Sequence, residues 1–156
     1  MTTLERLLQV RQRRGAGYLT LLDPDRLSLD ELSKRAELCA EAGADAILVG
    51  TSLMLSASRN AALFDHLHQI VDIPVISFPG DAGQVVPNAD AILFLSMVSG
   101  RNPELLIGQQ VRAAPVLKEY GVEAIATAYM LIESGTLTST EFMSTTRPIP
   151  RAKPDI

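Results

Sequence analysis

Residues 18–32, YLTLLDPDRLSLDEL, contain the pattern that decides the fold: a short apolar run, an acidic turn and the start of a helix. The run Tyr18–Leu22 is almost wholly apolar, which is typical of a strand covered on both faces. Residues 23–25, Asp-Pro-Asp, then interrupt it. Ser28 and Glu31 have the spacing of a capping box, so a helix should begin directly after Ser28. The stretch predicts one βα unit with two carboxylates in its loop.

Four more apolar runs follow along the chain and predict further strands. They are Ala44–Val49, Ile73–Phe78, Asp90–Leu95 and Val122–Tyr129. None of them alternates strictly between apolar and polar residues, and this favours a parallel sheet with both faces covered. Helical patterns lie between the runs. Alternating strands and helices indicate an α/β fold.

The predicted helices have recognisable start and stop signals. The helix that begins at Ser28 can end at Gly43. Asn102 as the N-cap and Pro103 at the first position begin another, which ends at Gly121. Two further helices are indicated by a capping box at Thr2 and Glu5 and by apolar spacing at Leu63, Leu67, Ile70 and Val71.

Two connecting segments lack a strong helical pattern. Residues 79–89 contain too many prolines and glycines for a full helix, so the crossover between the third and fourth strands should be short or irregular. Residues 134–146 are rich in serine and threonine and predict a loop.

Five βα units are compatible with two architectures. A doubly wound open sheet can be completed within the 156 residues present, whereas an eight-stranded (β/α) barrel typically needs about 250 residues. Pattern alone therefore favours the open sheet. In both architectures the active site forms at the C-terminal ends of the parallel strands.

The composition indicates one globular domain and excludes several classes of protein. A hydrophobic fraction of 47% supplies enough material for a sizeable core. A net charge of −4 gives no general attraction for nucleic acid. One cysteine excludes a disulfide framework, and no apolar run reaches the ~20 residues of a transmembrane segment. The charged N-terminus lacks a signal-peptide core, so we expect a cytoplasmic protein.

Carboxylates, hydroxyls and glycines collect where the predicted strands end. Asp23 follows the first strand, and Thr51 and Ser52 follow the second, so oxygen ligands should meet at one edge of the sheet. Mg²⁺ takes oxygen ligands and is usually held by one or two carboxylates together with substrate phosphates. Alternatively, Asp23 and Asp25 only end a strand and shape a turn. The residues alone support both interpretations equally.

Other kinds of site are disfavoured. A phospho-acceptor receiver domain needs an acceptor aspartate after the third strand and a lysine after the fifth. Asp81 lies beyond a Pro-Gly pair, and the fifth strand ends at Tyr129 with no lysine nearby. His66 and His68 are two residues apart on a helix and do not face each other, which favours a solvated surface over a metal site. No G-x-G-x-x-G or Walker pattern occurs.

Seven segments of the chain resemble the geranylgeranylglyceryl phosphate synthase family in order and spacing. They are YLTLLDPDR, AGADAILVGTS, IPVISFPG, ADAILFLSMVSGRNP, IGQQVRAAP, TAYMLIESG and PIPRAKPDI. The chain is most similar to the branch of the family with bacterial members. The resemblance implies a (β/α) TIM-barrel fold and transfer of a long prenyl group from its diphosphate to sn-glycerol 1-phosphate, with Mg²⁺ as cofactor.

The resemblance also implies roles for individual residues. Asp23 matches the carboxylate that binds Mg²⁺, and Ser52 matches a hydroxyl metal ligand in the loop after the second strand. Asp25 is implied as a supporting catalytic acid of the same motif. Tyr129 and Glu133 are implied as substrate-binding residues after the fifth strand. An apolar groove for the prenyl tail has five candidate lining residues, which are Phe78, Phe94, Met97, Val98 and Met130.

The resemblance implies that residues 1–156 are a single (β/α)-barrel prenyltransferase domain, incomplete at the C-terminus, with about the first five of eight βα units. Its partners would be small-molecule substrates, a prenyl diphosphate and sn-glycerol 1-phosphate. Such a fragment leaves strand edges unpaired, so we expect a homo-oligomer. The alternative function is a catalytically inactive barrel fragment that acts only through self-association or a partner. No motif indicates the length of the prenyl chain.

Overall fold

The computed structural model describes residues 1–50, 57–153 and 155 of the chain. Within these residues, five parallel strands form one sheet. They are β1 (Leu19–Leu22), β2 (Ala46–Val49), β3 (Val75–Ser77), β4 (Ala91–Met97) and β5 (Glu123–Tyr129). Each strand lies where an apolar run predicts one, with its ends shifted by at most two residues.

The order of the strands distinguishes the two candidate architectures. They lie side by side in chain order, and every neighbouring pair is parallel. A doubly wound sheet reverses direction at a switch point, so its spatial order is not sequential. A (β/α) barrel places each strand beside the previous one. The order is therefore that of a barrel, and the preference for an open doubly wound sheet is wrong, because chain length carries no information about strand order.

Five α-helices in the described residues accompany the strands. They are α1 (Thr3–Arg14), α2 (Leu29–Glu41), α3 (Ala57–His68), α4 (Gln109–Tyr120) and α5 (Ser139–Ser144). Two of them, α1 and α2, begin at the predicted caps. The helix predicted to begin at Asn102 starts instead with a π-helical turn, and its α-helical part begins at Gln109.

Capping boxes at Thr2 and Ser28 are confirmed. Hydrogen bonds from the Ser28 hydroxyl and then its backbone N–H lower the pKa of the Glu31 carboxyl below its ordinary value. Gly121 adopts the left-handed conformation and ends α4 as predicted.

Three segments are irregular. The 79–89 crossover forms only a short 3₁₀ turn, Ala82–Gln84, as predicted. A π-helical turn, Glu104–Gly108, precedes α4, and nothing in the sequence pattern indicated it. Helix α5 lies inside the segment 134–146, for which a loop was predicted. That prediction is wrong over these six residues, because the Thr138 side chain accepts the N–H of Glu141 and starts a helical turn.

Helices α2, α3 and α4 cover the outer face of the sheet. Two clusters of buried apolar residues form there, one beneath α2 and α3 and one beneath α4. Their strand members are Leu22, Ile47, Val49, Val75 and Ile92. Along β2, Ile47 and Val49 belong to the outer face, while Ala46 belongs to a separate cluster on the inner face. This alternation is the period-two pattern of a strand buried on both sides.

Helix α1 covers the N-terminal ends of the strands. Its Leu7 packs on the inner-face cluster. At its start, the Glu123 carboxylate at the beginning of β5 accepts the N–H groups of Thr3 and Leu4 at 2.6 and 3.0 Å. At its end, Arg14 forms an ion pair with Asp45, next to β2. Helix α1 therefore runs beneath the sheet and leaves the opposite end, where the predicted site residues lie, open.

Candidate functional site

A cavity of about 560 Å³ lies at the C-terminal ends of the strands. Strands β1, β4 and β5 contribute to its walls, together with α4, α5 and the segment after β3. Most of its lining is apolar, including Leu21, Phe78, Phe94 and Met97, and Asp23 lies on the same wall. The cavity therefore combines a carboxylate and a large apolar volume at the edge where the active sites of this architecture form.

The cavity exists because β3 and β4 separate early. They are paired at only two positions, and β4 continues to Met97 after β3 has ended. The irregular crossover 79–89 also leaves the outer face of β4 without a full helix, and Val85 and Ala113 bound the space that results. The cavity thus reaches from the inner face of the sheet to the outer face beneath α4.

Asp23 is held in a tight turn at the end of β1. Its Oδ1 accepts the backbone N–H of Asp25 at 3.0 Å, and its Oδ2 lies 3.3 Å from Nε of Arg26. The side chain of Asp23 remains 30% exposed, and that of Arg26 is 83% exposed. The hydrogen bond to Asp25 is the turn-forming role considered from the sequence. It does not exclude a metal, because an exposed carboxylate still faces the cavity.

The oxygen ligands among the described residues fit a Mg²⁺ ion only if the substrate supplies further ligands. Ser52 lies outside the described residues, so its predicted role as a metal ligand has no structural description. Asp25 is exposed, lies outside the cavity lining and supports Asp23 through its backbone. Among residues 1–50, 57–153 and 155, no three His, Cys, Asp or Glu side chains are grouped as a metal site. Asp23 therefore suits an ion that arrives with a phosphorylated substrate and keeps its waters.

The two residues predicted on the substrate side are placed differently. Tyr129 lines the cavity, and its ring lies against that of Phe78 with centroids 5.7 Å apart. Glu133 is exposed and is not part of the cavity lining. Its backbone carbonyl accepts Nη2 of Arg151 at 3.1 Å, and its N–H donates to the carbonyl of Ile149 at 3.0 Å. The fold brings Tyr129 and Asp23 to one cavity and leaves Glu133 beyond its rim.

Of the five apolar residues proposed from the sequence to line a groove, three line the cavity and two do not. Phe78, Phe94 and Met97 line the cavity. Val98 and Met130 do not, and their side chains are 44% and 54% exposed.

Two glutamines that the sequence analysis did not single out also line the cavity. Gln109 Oε1 accepts the N–H of Ala82 at 2.8 Å and so ties α4 to the 3₁₀ turn. Gln110 donates through Nε2 to the carbonyl of Leu95, while its buried Oε1 finds no donor among the described residues. Both directly follow the π-helical turn, a feature that is frequent at functional sites. The signals in the sequence are a polar pair after an apolar run and its place in IGQQVRAAP, one of the segments that carry the family resemblance.

The chain is similar to known enzymes over most of its length. A geranylgeranylglyceryl phosphate synthase of Chitinophaga pinensis is 42% identical over 140 residues, which cover 90% of this chain and 55% of the relative. The enzyme of the same name from Flavobacterium johnsoniae is 41% identical over 157 residues, which cover 100% of this chain and 64% of the relative. The chain therefore spans little more than half the length of these curated relatives.

The chain is also similar to a solved structure of an enzyme with this name. The crystal structure of (S)-3-O-geranylgeranylglyceryl phosphate synthase from Thermoplasma acidophilum in complex with substrate sn-glycerol-1-phosphate matches with a TM-score of 0.88 and 32% identity. The match covers 97% of this chain and 60% of that protein. It confirms the TIM-barrel type of fold that the strand order indicated. A model of the PcrB family matches residues 8–156, so the chain belongs to the PcrB family.

Proposed function

We propose that this chain takes part in Mg²⁺-dependent transfer of a geranylgeranyl or similar long prenyl group from its diphosphate to sn-glycerol 1-phosphate, which yields an ether-lipid precursor. The observation that carries the proposal is the apolar cavity with Asp23 on its wall. The names of the relatives support the reaction, and the Thermoplasma acidophilum complex supports sn-glycerol 1-phosphate as the acceptor. Because the chain covers 55–64% of those two curated relatives, the reaction is proposed for the protein that contains these residues.

The reaction forms one bond and breaks one. The glycerol hydroxyl oxygen bonds to C1 of the prenyl group, and the bond from C1 to the diphosphate oxygen breaks. The hydroxyl proton passes to water, and the electron pair of the broken bond leaves with the diphosphate. Negative charge therefore grows on the leaving group, and groups placed to stabilise that charge accelerate the reaction.

Asp23 is the residue we propose to hold the metal. Bound there, Mg²⁺ would supply positive charge that stabilises the departing diphosphate. Asp25 fixes the orientation of Asp23 by donating its backbone N–H to Oδ1. Arg26 supplies a second positive charge beside the same carboxylate. Ser52 completes the proposal as a hydroxyl ligand carried over from the family resemblance.

The cavity is proposed to bind the prenyl tail. Burial of each methylene of the tail is worth about 0.8 kcal/mol, so a long apolar wall provides both affinity and exclusion of water. Phe94 of β4 and Ala113 of α4 line one part of the cavity, and Leu21 of β1 lines the part near Asp23. A diphosphate at Asp23 would thus place its tail along the passage between β3 and β4.

Tyr129 and Glu133 are proposed on the acceptor side. Tyr129 already lines the cavity, whereas Glu133 lies beyond its rim and would contact a substrate that extends out of it. Asp25, an exposed acidic residue of the same motif, remains a candidate catalytic residue.

The test is transfer of a labelled prenyl group from geranylgeranyl diphosphate to sn-glycerol 1-phosphate, with and without Mg²⁺. Asp23→Asn keeps an oxygen that can accept the Asp25 N–H but removes the charge, so it separates metal binding from turn formation. We expect kcat/KM to fall at least about 100-fold, consistent with the loss of several kcal/mol of metal-dependent stabilisation. Asp30→Asn, an exposed change on α2, is the matched control. Near-normal transfer by Asp23→Asn would remove Asp23 from the mechanism.

One observation favours the alternative of a catalytically inactive fragment. The outward-facing side of β5 is exposed at Ala124, Ala126 and Ala128, and in the described residues β5 pairs with β4 alone. Small side chains on such a face allow close approach of another element. If the folded chain gives no product but forms a defined oligomer in sedimentation experiments, the alternative holds and the transfer proposal fails for this chain.

A further inference from the structure

Two neighbouring glutamines at the start of α4 are bonded to opposite walls of the passage between β3 and β4. Gln109 Oε1 accepts the backbone N–H of Ala82 at 2.8 Å, and Ala82 belongs to the segment that follows β3. Gln110 Nε2 donates to the backbone carbonyl of Leu95, in the part of β4 that continues beyond its pairing with β3. All four residues line the cavity. The first turn of α4 therefore joins the two walls.

The two glutamines can reach opposite walls because they are adjacent on a helix. Successive side chains of an α-helix point about 100° apart, so one backbone position fixes both directions. The π-helical turn Glu104–Gly108 ends directly before Gln109 and α4 begins there, which places the pair at the end of the helix that borders the cavity.

The segment after β3 is a compact turn that Gln109 ties to α4. Within the turn, the buried Gln84 accepts the N–H of Gly80 through Oε1 at 2.8 Å, and the Asp81 side chain caps the 3₁₀ helix. These bonds shape the turn from inside. The bond from Ala82 to Gln109 then fixes the position of the turn relative to α4. A change at this bond is expected to move one wall of the passage while the turn keeps its own shape.

We propose that Gln109 is a positioning residue for the prenyl tail, because its hydrogen bond to Ala82 sets the width of the passage between β3 and β4. The inference rests on the proposed function, since it takes the tail of the donor to lie in this passage. An apolar tail is held by many weak contacts, and a wall displaced by only 0.5–1 Å already loses a quarter to a half of the energy of each contact. Gln109 thus acts on the tail through the wall and not on the reacting atoms.

Two variants remove the same hydrogen bond from its two sides. Gln109→Asn keeps the amide group but is one methylene shorter, so its oxygen falls short of the Ala82 N–H. Ala82→Pro removes the N–H itself. Proline fits this position, because Ala82 is the first residue of the 3₁₀ helix and Asp81 before it is extended, with φ −156° and ψ 175°.

The experiment is calorimetric titration with two donors, geranylgeranyl diphosphate and dimethylallyl diphosphate, in the presence of Mg²⁺ and without sn-glycerol 1-phosphate. We expect each variant to weaken binding of geranylgeranyl diphosphate about fivefold, in proportion to the loss of one hydrogen bond. Dimethylallyl diphosphate has a single isoprene unit and depends mainly on its diphosphate, so its affinity should change less than about twofold. Gln12→Asn, an exposed change on α1, is the matched control and should change neither affinity.

The double variant shows whether the two residues act through one bond. Because each single variant already removes that bond, Gln109→Asn combined with Ala82→Pro should bind geranylgeranyl diphosphate about as well as either single variant. The proposal is overturned if the losses multiply, since the residues would then act separately. It is also overturned if both donors weaken equally, which indicates a general disturbance of the fold, or if neither weakens.

Failure of this inference and failure of the proposed function are separable, because binding is measured without the acceptor and needs no transfer. A chain that transfers the prenyl group, but binds the long donor equally well without the Gln109–Ala82 bond, refutes the inference alone. A chain whose affinity for the long donor depends on that bond, but which forms no product, refutes the reaction alone. A chain that binds neither donor refutes both.

Discussion

The rings of Phe78 and Tyr129 are 5.7 Å apart between centroids, with their planes tilted by 51°. Phe78 follows β3, and Tyr129 ends β5, so the two rings meet although β4 lies between their strands. Such a contact requires the sheet to curve strongly at this edge, as it does in a barrel. The pair therefore joins two sides of the cavity and holds Tyr129 in place.

Replacing Phe78 by leucine should loosen Tyr129. The aromatic pair is worth about 0.5–1.5 kcal/mol, and its loss allows the Tyr129 ring other orientations. We expect KM for the acceptor to rise several-fold while the melting temperature falls by only a few degrees. Phe78→Tyr keeps the ring and should behave like the wild type. A Phe78→Leu variant with unchanged steady-state kinetics would show that the ring contact does not position Tyr129.

Gly50 has no room for a side chain. A Cβ there would lie 2.9 Å from Cβ of Phe78 and closer still to the Phe78 carbonyl oxygen. Because the obstacle is backbone, Gly50→Ala must displace the end of β2 or of β3. We expect the free energy of unfolding to fall by about 3 kcal/mol, measured by urea denaturation. Gly17→Ala, where the nearest atoms are 3.7 Å away, is the control and should cost far less.

Gly108→Ala, unlike Gly50→Ala, should not lower the stability of the chain. A Cβ at this position would lie 2.8 Å from Oε2 of Glu104, whose carboxylate crosses the glycine to reach Arg112. The obstacle is the end of a flexible exposed side chain, and the surface ion pair is worth at most about 1 kcal/mol. Alanine gains up to about 1 kcal/mol in helix propensity. Urea denaturation should show stability unchanged or slightly raised, and a loss above 2 kcal/mol would contradict the prediction.

Arg26→Gln tests the electrostatics around Asp23. The arginine lies 3.3 Å from the carboxylate that we propose as the metal ligand, so it competes with a cation there. Removing it should tighten Mg²⁺ binding up to about fivefold, as expected for an exposed ion pair. Calorimetric titration with MgCl₂ measures this, with Lys118→Gln on α4 as the control. Weaker binding of Mg²⁺ in the presence of inorganic pyrophosphate would instead identify Arg26 as a diphosphate ligand.

The lowered pKa of Glu31 gives a pH-dependent prediction. Its carboxyl is deprotonated more easily in the folded chain than in the unfolded chain, so the capping box adds stability above the ordinary pKa of 4.5. This contribution is lost as the pH falls through the lowered value. The difference in unfolding free energy between the wild type and Glu31→Gln should therefore shrink between pH 7 and pH 3. Glu37→Gln on the same helix is the reference, and an equal difference at both pH values would refute the prediction.

The features predicted well from the sequence are those set by neighbouring residues. Thr2, Ser28 and Gly121 fix helix ends through contacts within one turn, and the apolar runs fix the strands. Strand order is a non-local property, and nothing in the runs themselves distinguishes a barrel from a doubly wound sheet. The resemblance supplied it. Helix α5 was missed because its composition disfavours helix, while a single cap at Thr138 and a buried Ser144 stabilise it.

The site was predictable to a similar extent. Asp23 and Tyr129 end strands, and strand ends of this architecture meet at one edge, so both residues lie on the cavity. Gln109 and Gln110 were missed because a π-helical turn sets their direction, and its position follows from packing and not from a motif. Glu133 lies outside the cavity because β5 ends at Tyr129, before the chain reaches Glu133.

The hydrogen bonds that hold the first turn of α1 join residues 119 and 120 positions apart in sequence. During synthesis the first helix is therefore made long before Glu123, to which its N-terminus is fixed. Until β5 has formed, the inner apolar face beneath Leu7 stays without its cover. We therefore predict that α1 docks late in folding, and contacts made late act mainly on the rate of unfolding. Glu123→Gln should speed unfolding in stopped-flow experiments and leave the folding rate nearly unchanged.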